Sequence, residues 1–194
     1  MAYRDKRYTI PTLSVDLYET VYPTELWTMS QFIISKYEGG LRPGDNFNGA
    51  FTFEGNTSFG LFTATVKRFD IARRMFGAEF TWLSRDGTKL LDYMNVFRNP
   101  EKGTQTKTLR VTITHTTANW SFSGMLIEQC FKEIAPGERI RGVIRIDKAS
   151  ESGNFEASVV WSLMDKNALA VRFELLPDAT FALLEAAIKK TATA

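Results

Sequence analysis

Residues 120–137 read WSFSGMLIEQCFKEIAPG, and residues 27–44, which lie 120 − 27 = 93 positions earlier, read WTMSQFIISKYEGGLRPG. Laid over each other without a gap, Trp27 falls on Trp120, Ser30 on Ser123, Ile34 on Ile127 and Pro43-Gly44 on Pro136-Gly137. The same shift also places Gly49 on Gly142, Gly60 on Gly153, Phe62 on Phe155, Ala64 on Ala157 and Val66 on Val159. Further on, Phe80 falls on Phe173, Leu83 on Leu176 and Leu90-Leu91 on Leu183-Leu184, making 14 identities between residues 27 and 91. Most other pairs keep apolar opposite apolar, as shared elements require. A period of this kind governs everything read after it, and it implies an internal duplication.

The second copy shows its periods clearly. Ile140, Ile144 and Ile146 alternate with Arg139, Arg141 and Arg145, which predicts a half-buried strand with its arginines facing water. Phe155, Ala157, Val159 and Trp161 form a second row of period two, and Leu169, Val171, Phe173 and Leu175 a third. After Pro177 the period changes: Asp178 can cap a helix with Phe181, Leu184 and Ile188 on one face and Lys189-Lys190 near its negative end. In the first copy Leu90, Leu91, Met94 and Phe97 repeat that stripe. The polar run Arg98-Asn-Pro-Glu-Lys-Gly-Thr then interrupts it, which places a domain boundary between 97 and 98.

Turn signals such as Arg42-Pro-Gly-Asp and Ala135-Pro-Gly-Glu separate short strands, so the pairing is antiparallel, and closure into barrels would remove exposed edges. The expected fold class is all-β with minor α: two tandem antiparallel β-barrels, residues 1–97 and 98–194, each followed by a C-terminal amphipathic helix.

Composition narrows the function. With 44% hydrophobic and 24% charged residues the chain can bury a core and is far from a disordered composition. Lys plus Arg number 24 against 22 Asp plus Glu, split 11 and 11 over residues 1–97 and 13 and 11 over 98–194. Neither copy has the basic excess of a nucleic-acid groove, so the interleaved tryptophans do not indicate a single-strand binder. Cys130 is the only cysteine and cannot form an internal disulfide. No long apolar run occurs, which predicts a cytoplasmic chain without membrane insertion. His115, in a Thr-rich alternating strand, is expected to be solvated and without a role.

The segments Asn119-Trp-Ser-Phe-Ser-Gly-Met-Leu-Ile-Glu, Ala135-Pro-Gly-Glu, Ala157-Ser-Val-Val-Trp and Leu169-Ala-Val-Arg-Phe-Glu together resemble the bacterial PilZ domain. Through the repeat, residues 1–97 resemble a degenerate PilZ-like barrel. The resemblance implies an antiparallel barrel with a C-terminal helix, and cyclic di-GMP as ligand. Many members bind it through a leading Arg-x-x-x-Arg and a later Asp/Asn-x-Ser-x-x-Gly. Asn119, Ser121 and Gly124 fill the second motif, Arg98 stands in the first arginine's place and Lys102 in the second's, and Trp161 matches a position that stacks on guanine in some members.

The ligand chemistry accounts for these residue types. An arginine fork bonds a phosphate or a guanine edge in pairs, Asn and Ser supply directional donors and acceptors, and Gly admits close backbone approach. Lys102 keeps the charge but not the fork. Because the row containing Trp161 has Arg68 at the matching place in the first copy, that end of the row is expected at the barrel rim. In the first copy Leu26, Thr28 and Gln31 replace the second motif, so no messenger site is expected there. Arg4, Lys6 and Arg7 read as a solvated terminus.

The leading expectation is a non-catalytic cyclic di-GMP receptor or adaptor without a resident cofactor, in which the 98–107 linker orders on the ligand and changes the domain arrangement. The alternative is a degenerate PilZ-like adaptor that binds a protein partner without nucleotide. No nucleophile elbow, acidic orienter or metal-ligand cluster supports an enzyme.

Overall fold

Among the described residues, alternating apolar and polar positions produce ten strands, and the two helical stripes produce two α-helices. The computed structural model describes residues 6–37, 39–96, 107–130, 132–146 and 151–192. In chain order they form β1 (Leu13–Trp27), β2 (Gln31–Ile34), β3 (Asn46–Phe53), β4 (Phe59–Asp70), β5 (Met75–Leu83) and α1 (Arg85–Asn95). Then follow β6 (Leu109–Trp120), β7 (Gly124–Glu128), β8 (Arg139–Ile146), β9 (Ser152–Leu163), β10 (Ala168–Leu175) and α2 (Asp178–Ala192). Adding 93 to the bounds of β3 and β4 gives the bounds of β8 and β9. The Pro-Gly turns match too, with Gly44 and Gly137 at φ of 95° and 88°, a backbone region that favours glycine.

The contacts divide the chain differently from a cut at 97/98. One compact unit is Thr20–Thr114; the other is Met1–Glu19 with His115–Ala194. The cause lies in β1 and β6, the strands that open the two copies. In the first unit β2, β5, β4 and β3 pair in that order, flanked by Thr24–Trp27 of β1 and Asn48's partner strand, Leu109–Thr114 of β6. In the second unit β7, β10, β9 and β8 pair in order, flanked by Thr116–Trp120 of β6 and Leu13–Leu17 of β1. Each unit thus orders six strand segments in one continuous ladder. Each of these ladders is antiparallel, as the short turns require.

The core of the 1–19/115–194 unit is built on Leu13, Val15, Leu17, Trp120, Ile127, Ile140, Ile144, Phe155, Leu169 and Leu184. Each such side chain contributes about 1.5–3 kcal/mol by leaving water. Helix α2 closes this unit: a Cβ on Gly153 would collide with Thr180, whose Oγ1 donates to Asn154 O at 2.7 Å. Leu184 and Ala187 point inward, while Phe181, expected on the buried stripe, is 42% exposed and stacks on Phe122 at 4.5 Å. Helix α1 starts at the Ser84 cap, whose Oγ accepts from Gly87 N at 3.0 Å, and it buries Leu90, Leu91 and Met94. Phe97, the last residue of its expected stripe, lies outside the described residues.

Two expected side-chain environments are overturned. Arg145 does not face water with Arg139 and Arg141: it is buried and paired with Asp16, because β1 covers that end of β8 and supplies the carboxylate. His115 is 3% exposed instead of solvated, since it continues the inward row of Leu109, Val111 and Ile113. Its Nδ1 lies 3.1 Å from Gln129 O, and burial lowers its pKa below the usual imidazole value.

Candidate functional site

Two β-bulges aim the side chains of the site. Along β6 the register against β7 shifts between Thr117 and Asn119, so Thr117 stays buried and Asn119 pairs with Leu126 on the outer face. Along β9 the register against β10 shifts after Val159, which is buried opposite Val171, and Trp161 then pairs with Ala170. The extra residue breaks the alternation that would have sent Trp161 into the core after Phe155, Ala157 and Val159. Trp161 is 37% exposed, in keeping with the rim position inferred from the repeat.

Between β6 and β7 the chain turns through Ser121–Ser123. Ser121 N donates to Gly124 O at 2.8 Å, and Ser121 Oγ accepts from Ser123 N at 3.1 Å. The Ser121 hydroxyl also lies 2.9 Å from Ser123 Oγ. Ser121 is therefore buried and largely occupied in holding the turn. Gly124 is required by close approach: a Cβ there would run into Val171 O and crowd the Arg172 backbone. Its place opposite Arg172 in the β7–β10 ladder brings that arginine's strand beside the turn. The Asn119 side-chain amide has no hydrogen-bond partner among the described residues, which leaves it facing the groove for a ligand edge.

Asn119, Ser121, Gly124 and Trp161 line one groove of about 450 Å³, within the range of roughly 300–1,000 Å³ typical of small-molecule sites. Arg7 and Arg172 line it as well, and among the described residues none of its lining is a carboxylate. The groove thus combines two guanidinium groups, a free amide and an aromatic wall, a set suited to an anionic ligand with a flat base. A neighbouring cavity of about 640 Å³ shares Trp161 and Leu126 and adds Lys166.

Arg98 and Lys102, the expected first half of the motif, lie outside the described residues. Arg7 and Arg172 escaped the sequence reading. Arg172 stands in the sequence only as the charged residue between Val171 and Phe173 in an alternating segment, which gives it no mark of a ligand contact. Arg7 looked like part of a solvated terminus, and nothing local in the sequence links it to Asn119, more than a hundred positions away.

Other chemistry finds less support in the described residues. No group of three or more His, Cys, Asp or Glu is arranged to hold a metal ion. Cys130 is buried and its thiol is pushed up by desolvation, which disfavours the reactive thiolate. Among the described residues, no helix is long and apolar enough to cross a membrane.

No curated protein and no solved structure matches the chain. The stretch that carries Asn119, Ser121, Gly124, Trp161 and Arg172, residues 98–190, matches the family model of the PilZ domain.

Proposed function

We propose that the groove is a receptor site for cyclic di-GMP and that the protein acts without catalysis. The observation that carries this reading is the convergence of Asn119, Ser121, Gly124 and Trp161 on one groove with two arginines and no carboxylate among its described lining residues. A cyclic dinucleotide offers two phosphates to the guanidinium groups, a guanine edge to the Asn119 amide and a flat ring to Trp161. In this reading the chain is two tandem PilZ-like copies, the first of which is architectural. The support is the shift of 93 that relates β3 and β4 to β8 and β9. Occupancy of the second copy is read out through a change in domain arrangement or a protein partner.

Calorimetric titration of the purified protein with cyclic di-GMP, with GTP and cyclic GMP as controls, tests the proposal. Saturable heat at low micromolar concentration with the cyclic dinucleotide alone is expected. A flat isotherm at micromolar concentration and above removes the receptor and leaves the adaptor that binds a protein without nucleotide.

A further inference from the structure

We propose that the guanidinium facing Asn119 and Ser121 is Arg7, carried in by the N-terminal arm, and that it replaces the linker pair Arg98 and Lys102. The inference rests on the receptor reading and specifies which chain segment completes the site.

The arm is fixed against the motif. Tyr8 N donates to Trp120 O at 2.7 Å and Trp120 N to Tyr8 O at 2.9 Å, a two-bond bridge to the residue that separates Asn119 from Ser121. The Tyr8 ring packs 5.0 Å from Trp120 and 6.4 Å from Phe122, and Trp120 Nε1 donates to Pro11 O at 2.8 Å. Leu13 N donates to Thr117 Oγ1 at 3.0 Å. Arg7 is thus one residue from an anchored aromatic, with its own exposed side chain lining the groove. It pairs with no carboxylate among the described residues.

The chain leaving the linker is held in the other compact unit. Lys107 O accepts from Trp27 Nε1 at 3.0 Å, and Leu109 O accepts from Thr24 Oγ1 at 3.0 Å. Trp27 is the counterpart of Trp120, so the segment that precedes each copy's first strand is anchored on the tryptophan of the other copy. The opening strands of the two copies are exchanged, and Arg7 travels with β1. Arg7 also restores the planar fork that Lys102 lacks.

Titration of four proteins with cyclic di-GMP tests this: wild type, R7A, R7K and the double variant R98A/K102A, each with a melting curve as a folding control. Expected are wild-type melting throughout, affinity at least about tenfold weaker for R7A, an intermediate loss for R7K and a change within about twofold for R98A/K102A. If R7A binds like wild type while R98A/K102A loses affinity, the receptor stands and the assignment to Arg7 falls. Equal losses in R7A and R98A/K102A also overturn the replacement of one by the other. Absence of wild-type binding removes both proposals.

Discussion

The turn at Thr28–Gln31 and the turn at Ser121–Gly124 are built alike, and the second borders the groove lined by Asn119, Trp161, Arg7 and Arg172. In the first, Thr28 N donates to Gln31 O at 2.7 Å, and Thr28 Oγ1 accepts from Ser30 N at 3.2 Å and Gln31 N at 3.1 Å. In the second, Ser121 makes the equivalent bonds to Gly124 O and Ser123 N. The hydroxyl survives where the rest of the motif does not, so its first duty is to the turn. Ligand chemistry separates at the neighbours: Leu26 against Asn119, Gln31 against Gly124 and Arg68 against Trp161. Both tryptophan-to-arginine places follow the same bulge, with Arg68 opposite Gly77 as Trp161 is opposite Ala170. The cavity at Arg68 also holds Asp70, which lies 3.9 Å from Arg73 and offsets the positive charge.

The largest expected difference between the units concerns stability. Asp16 and Arg145 form a buried ion pair, whereas the positions 93 away, Leu109 and Thr52, are uncharged. Replacing Asp16 with Ala leaves a buried guanidinium without its carboxylate and is expected to cost about 3–5 kcal/mol in denaturant unfolding. A loss below about 1 kcal/mol would mean that Arg145 reaches water in solution. The next effect is on affinity. W161A removes the aromatic wall and is expected to weaken cyclic di-GMP binding by about 1–3 kcal/mol with little change in melting, because the ring is partly exposed. Retention of full affinity would show that the ring only shapes the groove.

Smaller again is the paired change S121A and T28A. Each removes an equivalent hydroxyl from its turn, and each is expected to cost about 1 kcal/mol of stability, with reduced affinity only for S121A. Unequal stability losses would break the likeness drawn between the turns. The smallest effect is on pH dependence. The folded-state pKa of His115 is lowered, so the neutral imidazole is favoured and its stabilising contribution is complete above the unfolded value near 6.5. It is lost as pH falls through the lowered folded value. Denaturant midpoints at pH about 7.5 and about 5.5 should therefore fall more in wild type than in H115Q.

The strands were legible because Ile140, Ile144 and Phe155 alternate with polar neighbours and the repeat supplies a second reading of each. The rim position of Trp161 was legible only through Arg68, whose charge argued against burial at the matching place, while the bulge that turns the ring outward was not legible. The burial of Arg145 and His115 was not legible, since β6 and β8 alternate whichever side faces inward, and Asp16 is distant in sequence. The exchange of β1 and β6 was hidden for a deeper reason. A repeat relates two leading strands of similar pattern, and nothing in that pattern says which copy each one completes. The same silence concealed Arg7, whose place follows from the ladder partner of Tyr8.

That exchange of opening strands determines what scissors can do to this chain. A fragment starting at residue 98 would keep β8 and lack Leu13–Leu17, leaving a row of backbone donors and acceptors open along one side. A fragment ending at 97 would lack the Leu109–Thr114 partner of β3. Each piece carries what the other needs, so co-refolded fragments should complement one another where either alone would aggregate.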